Sequence, residues 1–153
     1  MISKKTKYAL KALIFLARKD TPKPVLISEI ADEEGIPKKF LELILLELKN
    51  KGLLESRKGK GGGYLLGKPA RDIRLGEVMR ILDGPIAPLP GLSKTAYRKC
   101  DECEDEKTCA IRLIMKEVYE ANTKILDGTT LADMLDRTDN ILQQERKVFM
   151  YHI

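Results

Sequence analysis

The chain lacks tryptophan and has a single histidine in 153 residues. Aromatic residues make up 5% of it, too few for the stacked aromatic platform with which proteins grip single-stranded nucleic acid. The one histidine, His152, is the penultimate residue, where a disordered tail position is expected. A Ser-His-Asp catalytic set therefore has no usable base. Long apolar runs are also missing. The segments from Ala12 to Ala17 and from Leu43 to Leu46 fall far short of the roughly 20 residues that a membrane helix needs. The opening Met1-Ile2-Ser3-Lys4-Lys5 leads into an amphipathic segment, not an apolar stretch with a cleavage site, so no secretory signal is expected and the protein is placed in the cytoplasm. Cysteine is scarce. All three lie between positions 100 and 109, and an odd, clustered set in a reducing compartment reads as a metal or redox site, not as a disulfide framework.

What is present is charge, unevenly placed. Residues 1–82 carry 18 Lys and Arg against 10 Asp and Glu, whereas residues 83–153 carry 10 against 13. A basic first half beside an acidic second half suggests a module for a polyanion joined to a module with another task. The alternative is a solvated, lysine-rich surface, and the order of elements has to decide.

Ala9, Ala12, Leu13, Leu16 and Ala17 recur at helical spacing and predict a first helix from Lys4 to Arg18. Pro22-Lys23-Pro24 breaks it. Ser28 is expected to cap a two-turn second helix that stops at Gly35. Pro37 restarts the chain, and Leu41, Ile44, Leu45 and Leu48 give a third helix its buried face until Lys51-Gly52. Helix, glycine turn, helix is the helix-turn-helix pattern. Two short strands, Leu53 to Ser56 and Tyr64 to Leu66, flank Arg57-Lys58-Gly59-Lys60-Gly61-Gly62-Gly63, and a basic glycine-rich hairpin after a recognition helix is a wing. A fourth helix spans Leu75 to Leu82. The proline-rich stretch Gly84 to Gly91 marks a boundary. Ile111, Ile114, Met115, Val118, Asn122 and Ile125 lie on a long helix from Thr108 to Leu126. Thr130 caps a last short helix ending near Asp136. The fold class is mainly α with a small β-hairpin: a winged helix-turn-helix domain over 1–83, a linker and cysteine-containing sensory loop over 84–107, dimerisation helices over 108–138 and a C-terminal tail over 139–153. The tail is open between a disordered end and a final strand of dimer contact.

This order assigns double-stranded DNA as the ligand of the first half. Lys38, Lys39 and Glu42 stand at the exposed start of the third helix. There lysine can reach phosphate or guanine, and Glu42 can accept a hydrogen bond from cytosine; Glu42 could equally be a solvated partner for a lysine. Lys5, Arg57, Lys58 and Lys60 complete the candidate DNA contacts, the wing lysines suiting a narrow and strongly negative minor groove. A phosphate-loop reading fails, because Gly61 follows Lys60 where serine or threonine is required. The long helix carries more apolar surface than the remainder can cover, so a homodimer is expected, against the alternative of a helix packed back on its own domain.

Cys100, Cys103 and Cys109 are spaced C-x2-C-x5-C. Thiolates select zinc, copper(I) and iron-sulfur clusters, and a fourth ligand is left open. The surrounding carboxylates Asp101, Glu102, Glu104, Asp105 and Glu106 should raise the thiol pKa values of the metal-free loop. Cys100-x-x-Cys103 lacks the strand-to-helix setting of a thiol-disulfide enzyme, so no enzymatic activity is assigned.

The run from Leu41 to Leu66 closely resembles the signature of the IscR, NsrR and CymR family of bacterial winged-helix transcription regulators. Lys7-Tyr8-Ala9-Leu10, Leu82-Asp83-Gly84-Pro85 and Thr129-Thr130-Leu131-Ala132-Asp133 extend the resemblance over most of the chain. It implies a homodimeric regulator, expected to repress, with long second-half helices crossed between subunits and a loop whose state sets DNA affinity. Cluster-binding members use three cysteines of this loop for an iron-sulfur centre, 2Fe–2S being preferred here to 4Fe–4S, with zinc or no metal as alternatives. This sequence departs from that pattern: its first two cysteines are closer together, Arg112 stands where one branch has a ligating histidine, and Lys7-Tyr8 stands where another takes an aspartate. Some relatives have a cysteine where Gly91 stands. Others hold no cluster and answer to a metabolic enzyme or another signal, and for these the cysteines would be a reversible thiol switch.

Overall fold

The structure, a computed structural model, describes residues 2–19 and 21–152. Six helices and one hairpin follow in the order α1 (Lys4–Lys19), α2 (Ile27–Glu34), α3 (Lys38–Asn50), β1 (Leu54–Arg57), β2 (Gly63–Leu66), α4 (Leu75–Asp83), α5 (Ala110–Gly128) and α6 (Leu131–Tyr151). The apolar stripe of α1 and the stripe of α3 meet, and Leu13, Ile30, Leu41, Ile44, Leu45 and Leu48 are fully buried there. Each such side chain contributes roughly 1.5–3 kcal/mol by leaving water, which fixes the mutual pose of α2 and α3. Gly35 closes α2 in the left-handed conformation at φ 63°, the usual way to end a helix and redirect the chain within one residue.

The second helix does not begin at a Ser28 cap. It starts at Ile27, with Leu26 extended before it and no side-chain cap. The reason lies upstream: Val25 exchanges two backbone hydrogen bonds of 2.8 Å with Tyr64, so the chain is held extended up to Leu26 and turns into the helix directly afterwards. This bridge makes Val25 a one-residue third strand beside the antiparallel β1–β2 pair, whose register runs from Leu54 opposite Leu66 to Arg57 opposite Gly63.

The C-terminal part differs most from expectation. Instead of ending near Asp136 and leaving a disordered tail or a strand, α6 continues to Tyr151, and His152 follows as its capping residue, its N–H donating to the Phe149 carbonyl at 3.2 Å. Thr130 does cap it, in a reciprocal box. The Asp133 N–H donates to Thr130 Oγ1 at 3.1 Å, and the Thr130 N–H donates to the Asp133 carboxylate at 2.9 Å. Leu131, the first residue of α6, is fully buried in the same cluster as the helix-turn-helix core. The corner between α5 and α6 is stitched to the start of α4 by Leu75 N–H to the Thr129 carbonyl and Leu131 N–H to the Ile73 carbonyl, both 2.9 Å. Arg80 clasps Asp127 through two hydrogen bonds of 2.6 and 2.9 Å. Among the described residues no helix is long and apolar enough to cross a membrane.

Candidate nucleic-acid interface and cysteine loop

Two surfaces carry the chemistry. The first is the outer face of α3 together with the wing. Lys38, Lys39 and Glu42 are exposed along the first turns of α3, because the buried Leu41, Ile44, Leu45 and Leu48 consume the opposite face. Arg57, Lys58 and Lys60 are exposed at the wing tip, where Gly59 and Gly61 take φ values of 91° and 77° that other residues rarely adopt. Glu42 forms no ion pair among the described residues, which leaves its carboxylate free for a base or for solvent. Arg57 leans on Glu55 at 3.5 Å. Lys5 stands apart from this set: it pairs with Glu47 of α3 at 2.5 Å and joins two helices of the core, so part of its charge is already compensated. Residue patterning did not single out Leu43, which is 65% exposed next to Glu42 in sequence, where an apolar side chain can meet a thymine methyl.

The second surface is the cysteine loop. Cys100, Cys103 and Cys109 line one cleft of about 630 Å³ together with Gly91, Glu106 and Arg112. The Cys103 thiol lies 3.4 Å from the Cys109 sulfur, and the Cys103 N–H donates to the Cys100 carbonyl at 3.4 Å, so Cys100-x-x-Cys103 is a single turn. The expectation that the acidic loop would raise all the thiol pKa values is corrected for Cys109. This residue is the N-cap of α5, and the Arg112 backbone N–H, then the Cys103 thiol, then the Ile111 N–H stabilise its thiolate and lower its pKa. Cys103, which shares its proton with the neighbouring sulfurs of Cys100 and Cys109, is pushed up to about 12. The helix terminus acts at contact distance, whereas Asp101, Glu102, Glu104 and Asp105 are exposed and screened by water.

Glu106 is the carboxylate that turns inward. It accepts from Tyr97 Oη at 2.9 Å and from the Cys100 N–H at 3.3 Å, and these donors hold it below the usual carboxylate range. A Cβ at Gly91 would meet Glu106 Oε1 at 3.0 Å, a contact the end of that flexible side chain can relieve by a small shift. Arg112 reaches the Gly91 carbonyl at 3.4 Å, and its Nε is buried without a partner. Three soft donors thus line one cleft, two of them in contact. Two sulfurs lie near the separation that thiolates on one metal at about 2.3 Å would adopt, and Cys100 lines the same cleft. A fourth donor is not in place: Glu106 is engaged, Arg112 is a cation, and no three His, Cys, Asp or Glu side chains among the described residues already form a metal-holding group.

The sequence model of the Rrf2 family, described as an iron-dependent transcriptional regulator, matches residues 2–137. The chain belongs to the Rrf2 family. It is 50% identical over 138 residues to an rrf2-like HTH-type transcriptional regulator of Rhodobacter capsulatus, covering 88% of this chain and 92% of that one. To the HTH-type transcriptional regulator CymR of Bacillus subtilis it is 34% identical over 152 residues, 99% of each chain. Among solved structures it resembles CymR, the global cysteine regulator of B. subtilis, with a TM-score of 0.75 and 32% identity over 90% of this chain and 97% of that one. It also resembles T. potens IscR, with a TM-score of 0.71 and 28% identity over 90% and 88%. This Rrf2 protein is therefore a transcriptional regulator and not an enzyme, with the winged helix-turn-helix fold of its relatives.

Proposed function

We propose that this Rrf2 protein binds operator DNA as a homodimer and that its three-cysteine loop holds an iron-sulfur centre whose state sets operator affinity. The observation that carries the DNA half is the exposure of Lys38, Lys39 and Glu42 on α3 together with Lys58 and Lys60 on the wing that follows it. In this arrangement α3 enters a major groove while the wing reaches the adjacent minor groove. A dimer places two such helices on a two-fold symmetric site, and the exposed apolar face of α5, with Ile111, Ile114, Val118 and Ile125 all uncovered, supports it over a helix packed on its own domain.

The cysteine loop supports the sensory half. Cys100, Cys103 and Cys109 present three soft donors to one cleft, with Cys109 at the head of α5, where backbone N–H groups favour its thiolate form. An iron-sulfur cluster bound there would supply sensitivity to oxygen, iron supply and nitric oxide. The chain's own part is to connect that site to the DNA-binding unit. Helix α5 follows directly on its N-cap Cys109 and ends where Asp127 is clasped by Arg80 of α4, so a change at the loop bears on α4 through one rigid element.

Two measurements test this reading. Purified protein incubated with fragmented genomic DNA should retain a small set of fragments sharing a two-fold symmetric sequence, and retention without sequence preference would overturn the DNA half. Protein purified without oxygen should show sulfide-to-iron absorption bands that bleach in air. A colourless protein after anaerobic supply of iron and sulfide would overturn the cluster and leave a regulator governed by a thiol switch, zinc or a protein partner.

A further inference from the structure

The geometry points to a specific redox modification site in the metal-free loop: an intramolecular disulfide between Cys103 and Cys109 that leaves Cys100 free. The sulfur atoms of Cys103 and Cys109 are 3.4 Å apart, and a disulfide needs about 2.05 Å, so closing the bond asks for a shift of little more than an ångström. The intervening segment is already folded for it. The Thr108 N–H donates to the Asp105 carbonyl at 3.3 Å, and the Lys107 N–H donates to the Asp105 carboxylate at 2.9 Å. All three cysteines are partly accessible at the cleft, so a small oxidant can reach them. Cys100 is the competing partner, since its carbonyl accepts from the Cys103 N–H at 3.4 Å in a tight turn and Cys-x-x-Cys turns do close into disulfides, but the sulfur contact of 3.4 Å is the one between Cys103 and Cys109.

With a hydroperoxide as oxidant the chemistry balances. One of the two sulfurs takes an oxygen from the peroxide to give a sulfenic acid, and the peroxide's other oxygen leaves as water or an alcohol. The second sulfur then displaces that sulfenic oxygen as water, forming the S–S bond. Two thiols are oxidised by two electrons and the peroxide is reduced by two. The bond locks the loop to the N-cap of α5 and removes two of the three thiols from any metal centre. The assignment concerns the loop without metal and stands apart from the cluster reading.

The test uses the full chain, its visible spectrum recorded as isolated, then stripped with a chelator under reducing conditions, freed of reductant and given one equivalent of hydrogen peroxide. Peptide mapping after alkylation should find Cys103 joined to Cys109 and Cys100 alkylated. Cys100→Ser should form the same bond at the wild-type rate, whereas Cys103→Ser and Cys109→Ser should form no intramolecular disulfide while keeping the wild-type circular dichroism. Finding Cys100 in the disulfide, or only bonds between copies, would overturn the proposal. The initial spectrum separates this outcome from failure of the cluster, since a protein colourless at the start still undergoes the mapping.

Discussion

Lys58 illustrates how a single side chain at the wing tip acts. It is exposed and forms no ion pair among the described residues, so its charge is free for phosphate. Lys58→Ala should weaken operator binding for all sequences about equally and reduce the slope of log affinity against log salt by about one, as read by fluorescence anisotropy across a salt series; an unchanged slope would remove Lys58 from the phosphate contacts. Gly63 is sensitive for a different reason. Its φ is 148°, and a Cβ would lie 2.2 Å from the Val25 carbonyl oxygen, inside the bridge that ties the wing to the chain before α2. Gly63→Ala should lower stability by about 1–3 kcal/mol and impair DNA binding beyond that loss. Thermal unfolding together with anisotropy would detect both, and a wild-type melting temperature would contradict the bridge.

Among the elements, the junction of α4 and α5 carries the connection between loop and DNA-binding unit. Arg80 and Asp127 are only partly buried, their side chains 31% and 45% exposed, so the pair is worth no more than about 1 kcal/mol after solvent screening. Its hydrogen bond to Arg80 lowers the pKa of Asp127. A carboxylate whose folded pKa is depressed stabilises the protein fully above its ordinary pKa near 3.9 and loses that contribution as pH falls through the lower folded value. Asp127→Asn should therefore cost a fraction of a kcal/mol at neutral pH and nothing in strong acid, a convergence visible in urea unfolding from pH 7 down to 3. If α5 relays the state of the loop, the same variant should also reduce the difference in operator affinity between the loaded and metal-free protein. At the other end of the corner, Thr130→Ala removes one half of the α6 capping box and should cost about 1 kcal/mol.

For the whole molecule, the uncovered apolar surface is the largest unspent resource. Besides the α5 face, Ile141, Leu142, Val148 and Phe149 are exposed along α6, in the stretch beyond residue 137 where the family match ends. Replacing Ile114 with glutamate puts a charge into the middle of the α5 stripe. The expected result is a monomer in sedimentation and a steep loss of operator affinity, with the melting of the helix-turn-helix unit preserved. A dimer of unchanged strength would place the interface elsewhere.

The sequence by itself determined the helix-turn-helix and wing, because the buried positions of α1 and α3 repeat at helical spacing and the glycines of the hairpin tip leave few other conformations. It also determined which cysteines gather, since all three lie within ten residues. Tertiary structure alone decided the rest. That α2 begins before Ser28 follows from the Val25 to Tyr64 bridge, a contact across nearly forty residues that no local pattern encodes. The run of polar residues around Gln143 to Lys147 hid a helix extending to Tyr151, and only the packing of Leu131 into the first-half core shows that the two halves share one interior. Likewise, the acidic neighbours of the cysteines predicted raised thiol pKa values throughout. The fold sets Cys109 at the N-terminus of α5, where nearby backbone N–H groups outweigh more distant, solvated carboxylates.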